Sequence, residues 1–202
     1  MPRRRYAAPR LSDLRSPACG GGAALAPYAM AILETERLRL RELTPDDAGF
    51  MLELLNDPMW LRFIGDRGIR TLEGARSYLQ EGYIAMYGRV GFGLWLVERK
   101  RDGRPLGTCG LMARAGLRDP DIGFAFMPEF RGQGYAREAA AACLQHGRQR
   151  LRLKRIVAIT TPDNQFSVRL LEHLGLRFET TVRLPNDPLE LRLYAIDFRV
   201  DA

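Results

Sequence analysis

Apolar and polar residues alternate with a period of two in several segments of the chain, a pattern typical of strands with one buried face. In the first segment, Leu38 and Leu40 stand between arginines. The dipeptide Asp102-Gly103 separates two later segments and favours a tight turn, so these two are predicted to form a hairpin. The segments predicted as strands are 34–41, 91–98, 105–112, 121–127, 152–160, 176–184 and 191–198.

Helix start signals mark the other periodic segments. Thr44-Pro45-Asp46-Asp47 offers a capping hydroxyl, a proline at the first helical position and acids in the first turn. That helix is predicted to continue to about residue 55 and to break at Asn56-Asp57-Pro58. The other predicted helices cover residues 71–87, 135–150 and 164–174. A chain of 202 residues without internal repeats has the size of one domain.

Residues 121–147, DIGFAFMPEFRGQGYAREAAAACLQHG, pass from an apolar strand through a glycine loop into an alanine-rich helix. Gly132 and Gly134 allow the main chain to approach a ligand closely and to direct several N–H groups at it. The amino terminus of the following helix adds positive polarity. The order therefore predicts an anion site, most often one for phosphate, at the end of a strand.

Two common phosphate-binding motifs do not fit this loop. A nucleoside-triphosphate loop closes with Gly-Lys-Ser/Thr, whereas the two lysines of the chain, Lys100 and Lys154, lie elsewhere. A dinucleotide fingerprint needs a third glycine where Arg137 stands, and an acidic residue at the end of the next strand, which residues 156–160 lack. The remaining pattern is Arg131-x-x-Gly134-x-Ala136.

This pattern resembles the Arg/Gln-x-x-Gly-x-Gly/Ala signature of the GNAT superfamily of acetyl-CoA-dependent N-acetyltransferases. The resemblance extends from about residue 34 to residue 198 and is similar to the Rim-type branch, which acetylates ribosomal-protein amino termini. Residues 36–41 resemble its opening strand and residues 121–124 its fourth strand. Asn164-x-x-Ser167 resembles its last helix, and Leu174-Gly175-Leu176 resembles the segment in which the chain leaves that helix.

The resemblance implies an α/β fold of the GNAT type over residues 31–202. Its mixed central β-sheet is splayed between the fourth and fifth strands and flanked by about four helices. It implies acetyl-CoA as co-substrate, with loop N–H groups on the pyrophosphate, Phe126 and Met127 paired with the pantetheine arm, and the Phe124 N–H on the thioester oxygen. The donor-binding residues it implies are Phe124, Phe126, Met127, Arg131, Gly132, Gln133, Gly134, Tyr135, Ala136 and Asn164.

Asn164 and Ser167 are given roles near the reacting sulfur by the same resemblance. Asn164 matches the position whose amide bonds the pantetheine, and it also suits a helix cap. Many family members carry a tyrosine seven residues after this asparagine as the acid for the thiolate, but here the position is Leu171. The Rim-type branch instead implies that Ser167 contacts the sulfur.

The general base is the least determined role. An alkyl amine is mostly protonated at neutral pH, so a carboxylate commonly deprotonates it. Asp121 begins the fourth predicted strand, near where family bases occur, and Glu129 and Glu138 are alternatives. Cys109 and Cys143 have no histidine in a recognisable pattern, so we expect direct transfer without an acetyl-cysteine.

The acceptor that the resemblance implies is a primary amine of a protein N-terminus or a small molecule. In this family, the two helices after the first strand form one wall of the acceptor site. This makes four aromatic residues candidate contacts, although most aromatic residues of this kind belong to the core: Trp60, Phe63, Tyr83 and Tyr87.

Positive charge is concentrated at the beginning of the chain. The formal net charge is +7, and residues 1–30 contain five arginines and one aspartate. This segment is predicted to be a disordered basic tail, unless translation starts at Met30. The sequence has neither a signal-peptide core nor a stretch of transmembrane length. Three scattered cysteines and two histidines fit no metal or redox spacing, so we expect no metal and a cytoplasmic setting.

The rest of the chain is mildly basic, which suits a phosphate-rich small ligand and makes nucleic acid an unfavoured partner. We expect a monomer or a homodimer. Two other functions stay open at this point: a non-catalytic sensor that binds CoA, and a ribosome- or RNA-associated factor that uses the basic tail.

Overall fold

Eight strands form one mixed sheet in the order β1-β2-β3-β4-β5-β6-β8-β7. The computed structural model describes residues 31–185 and 188–198, so the predicted tail and the alternative start at Met30 lie outside the described residues. β5 and β6 are parallel, and the other neighbouring strands are antiparallel. The strands are β1 Ala31–Glu34, β2 Leu38–Glu42, β3 Leu94–Arg99, β4 Pro105–Met112, β5 Asp121–Phe126, β6 Arg155–Thr160, β7 Arg177–Val182 and β8 Leu191–Asp197.

Helices cover both faces of the sheet. They are α1 Ala48–Leu55, α2 Pro58–Phe63, α3 Leu72–Tyr78, α4 Ala85–Val90, α5 Tyr135–Gln149 and α6 Gln165–His173, with a π-helical turn, Leu79–Ile84, between α3 and α4. The short helix α2 is absent from the sequence prediction. Its Asp57-Pro58 start is a cap and a proline at the first helical position, the same signal as Thr44-Pro45, which the prediction treated only as a break.

The predicted first strand, residues 34–41, corresponds to β2, and the structure has an additional strand, β1, that ends at Glu34. The fourth and fifth predicted strands are therefore β5 and β6. The chain turns after β1, where the Thr35 N–H donates to the carbonyl of Leu38 at 2.9 Å. This turn is anchored to α5, because Glu138 accepts hydrogen bonds from the Thr35 hydroxyl and the Arg37 N–H. About a hundred residues separate Arg37 from Glu138 in the sequence, so this contact produces no periodic pattern there.

The core has two main parts, one on each face of the sheet. Helix α5 lies against one face with its small residues Ala139, Ala140 and Cys143, all buried. Helices α1 and α3 and the π-helical turn cover the other face. Alternation along β5 therefore places Phe124 and Phe126 on the α5 face, and Asp121 on the face of α1 and α3.

β5 and β6 separate shortly after they begin. The register between them is limited to Asp121 opposite Val157, next to the bond from the Val157 N–H to the Pro120 carbonyl. Beyond this point no ladder joins the two strands within the described residues. The splayed mixed sheet of the prediction is confirmed, and residues 123–125 are partly exposed although β5 is an inner strand.

Gly110 lies where β3, β4 and β5 pack most closely. A Cβ atom there would stand 2.1 Å from the Gly93 carbonyl oxygen and 2.9 Å from the Leu94 Cα, both of them main-chain atoms. We expect Gly110→Ala to lower the free energy of unfolding by about 1–3 kcal/mol, as overpacking does. Gly49→Ala is the control, because a Cβ atom meets nothing within 4 Å there. Equal denaturant midpoints for Gly110→Ala and the parent protein would contradict this packing.

Candidate active site

The splay leaves main-chain groups of β5 without strand partners. The Met127 N–H donates to the Leu106 carbonyl at 2.9 Å, which fixes the alternation of hydrogen-bonded pairs between β4 and β5. Phe124 and Phe126 therefore occupy non-hydrogen-bonded positions, and their N–H and C=O groups point away from β4, into the gap beside β6. The Phe126 carbonyl accepts a hydrogen bond from the Arg131 side chain at 2.8 Å. Within the described residues, the gap therefore presents the Phe126 N–H and the main-chain N–H and C=O of Phe124 as a strand edge without partners.

Met127 does not share this free edge. Its N–H is bound to Leu106, and its carbonyl accepts the Phe130 N–H at 3.0 Å. The predicted pairing of an inserted arm with Met127 therefore has no free N–H on the protein side. The pairing of an arm with Phe126 and the contact of the Phe124 N–H with the thioester oxygen stay predictions, and the pairing predicted for Met127 is corrected because its N–H is already bound.

The glycine loop that follows β5 turns its main-chain donors outward. Gly132 and Gly134 have positive φ angles of 73° and 80°, which L-residues rarely adopt. The first helical bond of α5 runs from the Glu138 N–H to the Gly134 carbonyl at 3.1 Å. Within the described residues, the N–H groups from Gly132 to Ala136 donate to no other protein group. These donors and the positive end of a fifteen-residue helix fit a pyrophosphate.

Arg131 fastens this loop to its surroundings. Its Nε donates to the Phe126 carbonyl at 2.8 Å, and Nη2 pairs with the buried carboxylate of Asp57. Asp57 also caps α2 by accepting the N–H groups of Met59 and Trp60. The Arg131 side chain thus joins the loop to β5 and α2, so we assign it a positioning role.

Arg37 supports the loop from its other end. Its guanidinium donates to the Gln133 carbonyl at 3.1 Å, pairs with Glu138 at 2.6 Å and lies 4.5 Å from the centre of the Tyr135 ring. The Gln133 side chain donates to the Glu129 carbonyl at 2.6 Å. The side chains of the loop are therefore occupied in holding its shape, and its main-chain N–H groups are what it offers to a ligand.

Asn164 and Ser167 lie at the start of α6, beyond the end of β6. The Asn164 side-chain oxygen accepts the Ser167 N–H at 3.1 Å, which confirms the predicted helix cap. In the part of the chain that the structure describes, the Asn164 amide nitrogen and the Ser167 hydroxyl bond to no protein group. Both residues are partly exposed and can donate to a ligand. Leu171, at the position of the family's tyrosine, is buried in the core.

Asp121 begins β5 on the face opposite the α5 core. It is 1% exposed, and its Oδ2 accepts from Arg114 Nε at 3.1 Å. Its Oδ1 is buried without a hydrogen-bond partner among the described residues. Burial raises the pKa of Asp121 above its ordinary value, although the Arg114 charge acts in the opposite direction. A carboxylate of raised pKa suits a general base, and its free oxygen can accept a proton.

The profile of the family described as Acetyltransferase (GNAT) domain matches residues 37–177. The chain belongs to the GNAT acetyltransferase family. The uncharacterized N-acetyltransferase YoaA of Bacillus subtilis is 33% identical over 153 residues, which are 75% of this chain and 86% of that protein. YkkB of the same organism is 31% identical over 166 residues, covering 78% of this chain and 91% of YkkB.

Solved structures of GNAT proteins share the fold. A GNAT-family acetyltransferase from Bacillus anthracis superposes with a TM-score of 0.67 at 26% identity, over 81% of this chain and 96% of that one. RimL, a ribosomal L7/L12 alpha-N-protein acetyltransferase solved with coenzyme A, gives a TM-score of 0.72 at 21% identity, over 85% of this chain and all of RimL. At that identity RimL supports the fold alone. GNAT acetyltransferases use acetyl-CoA, so the protein is an acetyl-CoA-dependent acyltransferase.

The two alternative carboxylates are less suited to act as base in this GNAT site. Burial opposes the ionisation of Glu138, but hydrogen bonds from Thr35 and Arg37 outweigh it and hold the pKa of Glu138 below its ordinary value. Glu129 is exposed beside the glycine loop and pairs with Arg104 at 3.1 Å. Both contacts belong to the loop and its supports.

The candidate acceptor aromatics are mainly structural. Trp60 and Tyr83 are buried, and the Tyr87 hydroxyl joins Leu43 and Leu94 by donating to the Leu94 carbonyl and accepting the Leu43 N–H. Phe63 and Tyr87 are both partly exposed. Because the Tyr87 hydroxyl is already bound to two main-chain groups, Phe63 is the better candidate for a contact with an acceptor.

The two cysteines in the described chain, Cys109 and Cys143, are buried core residues. The Cys109 and Cys143 sulfur atoms lie 3.6 Å apart between β4 and α5, and burial raises the pKa of the Cys143 thiol well above its ordinary value. Within residues 31–185 and 188–198, no group of three or more histidine, cysteine, aspartate or glutamate side chains could hold a metal ion. No helix in those ranges is long and apolar enough to cross a membrane.

Three residues of this site were missed by the sequence analysis: Arg37, Asp57 and Arg114. Arg37 was counted as a strand residue, and Asp57 as part of a helix break. Their partners Glu138 and Arg131 are 101 and 74 positions away. Only the Arg131-Gly134 motif pointed near them, because these partners are brought together by the sheet and not by local spacing.

Proposed function

We propose that the protein transfers the acetyl group of acetyl-CoA directly to a primary amine of a protein N-terminus or a small molecule. The observation that carries this proposal is a combination of two sets of main-chain groups without protein partners in the described chain. One set is the outward-facing N–H groups from Gly132 to Ala136, and the other is the Phe126 N–H with the N–H and C=O of Phe124, at the edge of β5 in the gap. Together they match a diphosphate joined to an extended arm that contains amides.

The donor side of the site is assigned to main-chain groups. The glycine loop would hold the pyrophosphate, Phe126 and the Asn164 amide would hold the arm, and the Phe124 N–H would donate to the thioester oxygen. When bound, acetyl-CoA supplies an acetyl group activated as a thioester. The protein supplies position and charge complementarity, since these residues carry no nucleophile.

The acceptor side is assigned to Asp121. A strand rises about 3.3 Å per residue, so the main chain of Asp121 lies roughly 10 Å from that of Phe124. At that distance the carboxylate would accept the amine proton either through a bridging water or from the side of the acceptor that faces away from the thioester. Its buried, unpartnered Oδ1 supports this role.

Ser167→Ala tests the assignment of the hydroxyl to the leaving sulfur. We expect turnover to fall about 10-fold or more, the effect of one hydrogen bond to a charged group, with CoA affinity almost unchanged. Steady-state thiol release and calorimetry with CoA measure the two quantities. Ser77→Ala, a partly exposed serine in α3, is the control. An unchanged rate in Ser167→Ala would remove this residue from the mechanism.

The acceptor itself is tested by a screen of amines with a thiol readout. The likeness to RimL, named as a ribosomal L7/L12 alpha-N-protein acetyltransferase, supports including N-terminal peptides beside small amines. Rapid release of free CoA with any of these amines supports catalysis. Tight CoA binding with no release across the screen would instead favour a non-catalytic sensor.

A further inference from the structure

Arg114 lies in the connection between β4 and β5. Two nitrogen atoms of its guanidinium contact protein groups, and the third has no partner among the described residues. Its Nε donates to Asp121 at 3.1 Å, and its Nη2 contacts the Met112 sulfur at 3.8 Å. The Arg114 side chain is 29% exposed, whereas that of Asp121 is 1% exposed, so Arg114 lies on the solvent side of the carboxylate. A guanidinium carries five N–H donors, and among the described residues Nη1 has no partner.

A second arginine, Arg67, adds its charge to that of Arg114 at one buried group. Arg67 and Arg114 both act on the Tyr83 hydroxyl, where their charges oppose the rise in its pKa that burial and Tyr78 cause. The contact of the Arg67 guanidinium in the described residues is with the Ile64 carbonyl at 3.5 Å, so it is not neutralised by a carboxylate.

The charges around this point therefore do not balance. Asp66, next to Arg67 in sequence, is taken by Arg70 at 2.6 Å. Asp121 is then the one carboxylate bound to either Arg67 or Arg114 in the described chain. Arg114 and Arg67 thus carry more positive charge than the carboxylates bound to them neutralise.

We propose that the acceptor is an amine that also carries a carboxylate, bound by the open side of Arg114. The inference rests on the proposed acetyl transfer and narrows its substrate class. A carboxylate fits the planar donor pattern of arginine, and binding it there would hold the molecule's amine between Asp121 and the thioester that the Phe124 N–H contacts. The carboxylate belongs either to a free amino acid or to an acidic side chain at a peptide amino terminus.

A simpler role for Arg114 is to neutralise Asp121 alone. The two roles predict different values of one ratio, the rate with a carboxylate-bearing amine divided by the rate with the matched neutral amine. If Arg114 serves only Asp121, its removal changes the rates of all amines by the same factor. If it binds the acceptor, its removal lowers the rate for carboxylate-bearing amines more than for matched neutral ones.

The experiment measures kcat/KM by thiol release for matched acceptors with wild-type protein, Arg114→Gln and Arg67→Gln. The first arm compares free amino acids with their carboxamides. The second compares peptides that begin with Asp or Glu with peptides that begin with Asn or Gln. Arg101→Gln, an exposed arginine of the β3–β4 hairpin, controls for general loss of positive charge.

We expect wild type to prefer the carboxylate member of one arm by about 10- to 100-fold, the strength of a charge-assisted hydrogen bond. The preference should fall to about 3-fold or less in Arg114→Gln, fall partly in Arg67→Gln and persist in Arg101→Gln. The arm in which it appears identifies the source of the carboxylate. Equal or better rates with the neutral members overturn the inference but leave acetyl transfer intact. No turnover with any amine overturns both.

Discussion

Gly134→Glu is expected to abolish measurable CoA binding. The substitution places a carboxylate at the amino terminus of α5, among the N–H groups that would hold the pyrophosphate, and at a φ angle of 80° that only glycine adopts readily. Its Cβ would stand 3.3 Å from the Arg37 guanidinium. Loss of two hydrogen bonds to a charged ligand, at about 1.5–3 kcal/mol each, predicts a decrease of at least about 100-fold in affinity by calorimetry.

Two further variants separate the causes of this loss. Gly134→Ala carries the same backbone strain without the charge, so we expect an intermediate affinity. Gly103→Glu places the same side chain at another glycine of positive φ, in an open hairpin turn with nothing within 4 Å of its Cβ, and should bind CoA normally. If Gly134→Glu kept wild-type affinity while remaining folded, the pyrophosphate would have to bind elsewhere.

The features that could be predicted from the sequence are those encoded locally. The strand, the glycine loop and α5 follow one another within residues 121–147, so their periodicity and glycine spacing specify the loop without any distant contact. The Asn164 cap is likewise local, because its side chain accepts a hydrogen bond from a residue three positions away. The splay between β5 and β6 followed from the family resemblance, because no residue pattern records that two strands fail to pair.

The features that could not be predicted depend on distant partners. Met127 belongs to the same apolar run as Phe126, but its N–H is used by Leu106 across the β4–β5 register. Arg131 reads as a ligand-binding residue in the motif, whereas its side chain is occupied by Asp57 and the Phe126 carbonyl. Period-two alternation gives the face of each side chain but not the pairing of each main-chain group.

The environment of each candidate base needed tertiary structure for the same reason. The sequence favours Asp121, which begins the fourth predicted strand near where family bases occur, and leaves Glu129 and Glu138 as alternatives. Burial on the face of α1 and α3 distinguishes Asp121, while Arg37 ties Glu138 to the loop and Arg104 binds Glu129 at the surface. The environment of a carboxylate, and not its type, decides whether its pKa suits proton transfer.

Asp121→Asn should lower kcat by about 100-fold or more, the range in which a general base contributes. The amide keeps the shape of the side chain but cannot accept the amine proton. Because burial raises the pKa of Asp121, wild-type activity should fall on the acid side at a pH above the ordinary aspartate value, as the carboxylate becomes protonated. This decrease, the acid limb of the pH–activity profile, should be absent from the residual activity of Asp121→Asn.

The control for this prediction is CoA affinity, since Asp121 lies at the opposite end of β5 from the glycine loop. Calorimetry should give Asp121→Asn a dissociation constant within about 3-fold of wild type, which shows that the cleft has kept its shape. Glu129→Gln removes a carboxylate close to the loop and should leave kcat and the acid limb unchanged. If Asp121→Asn retained more than a third of wild-type kcat, the proton would leave by another route. The buried ion pair with Arg114 would then be a structural brace for the β4–β5 connection.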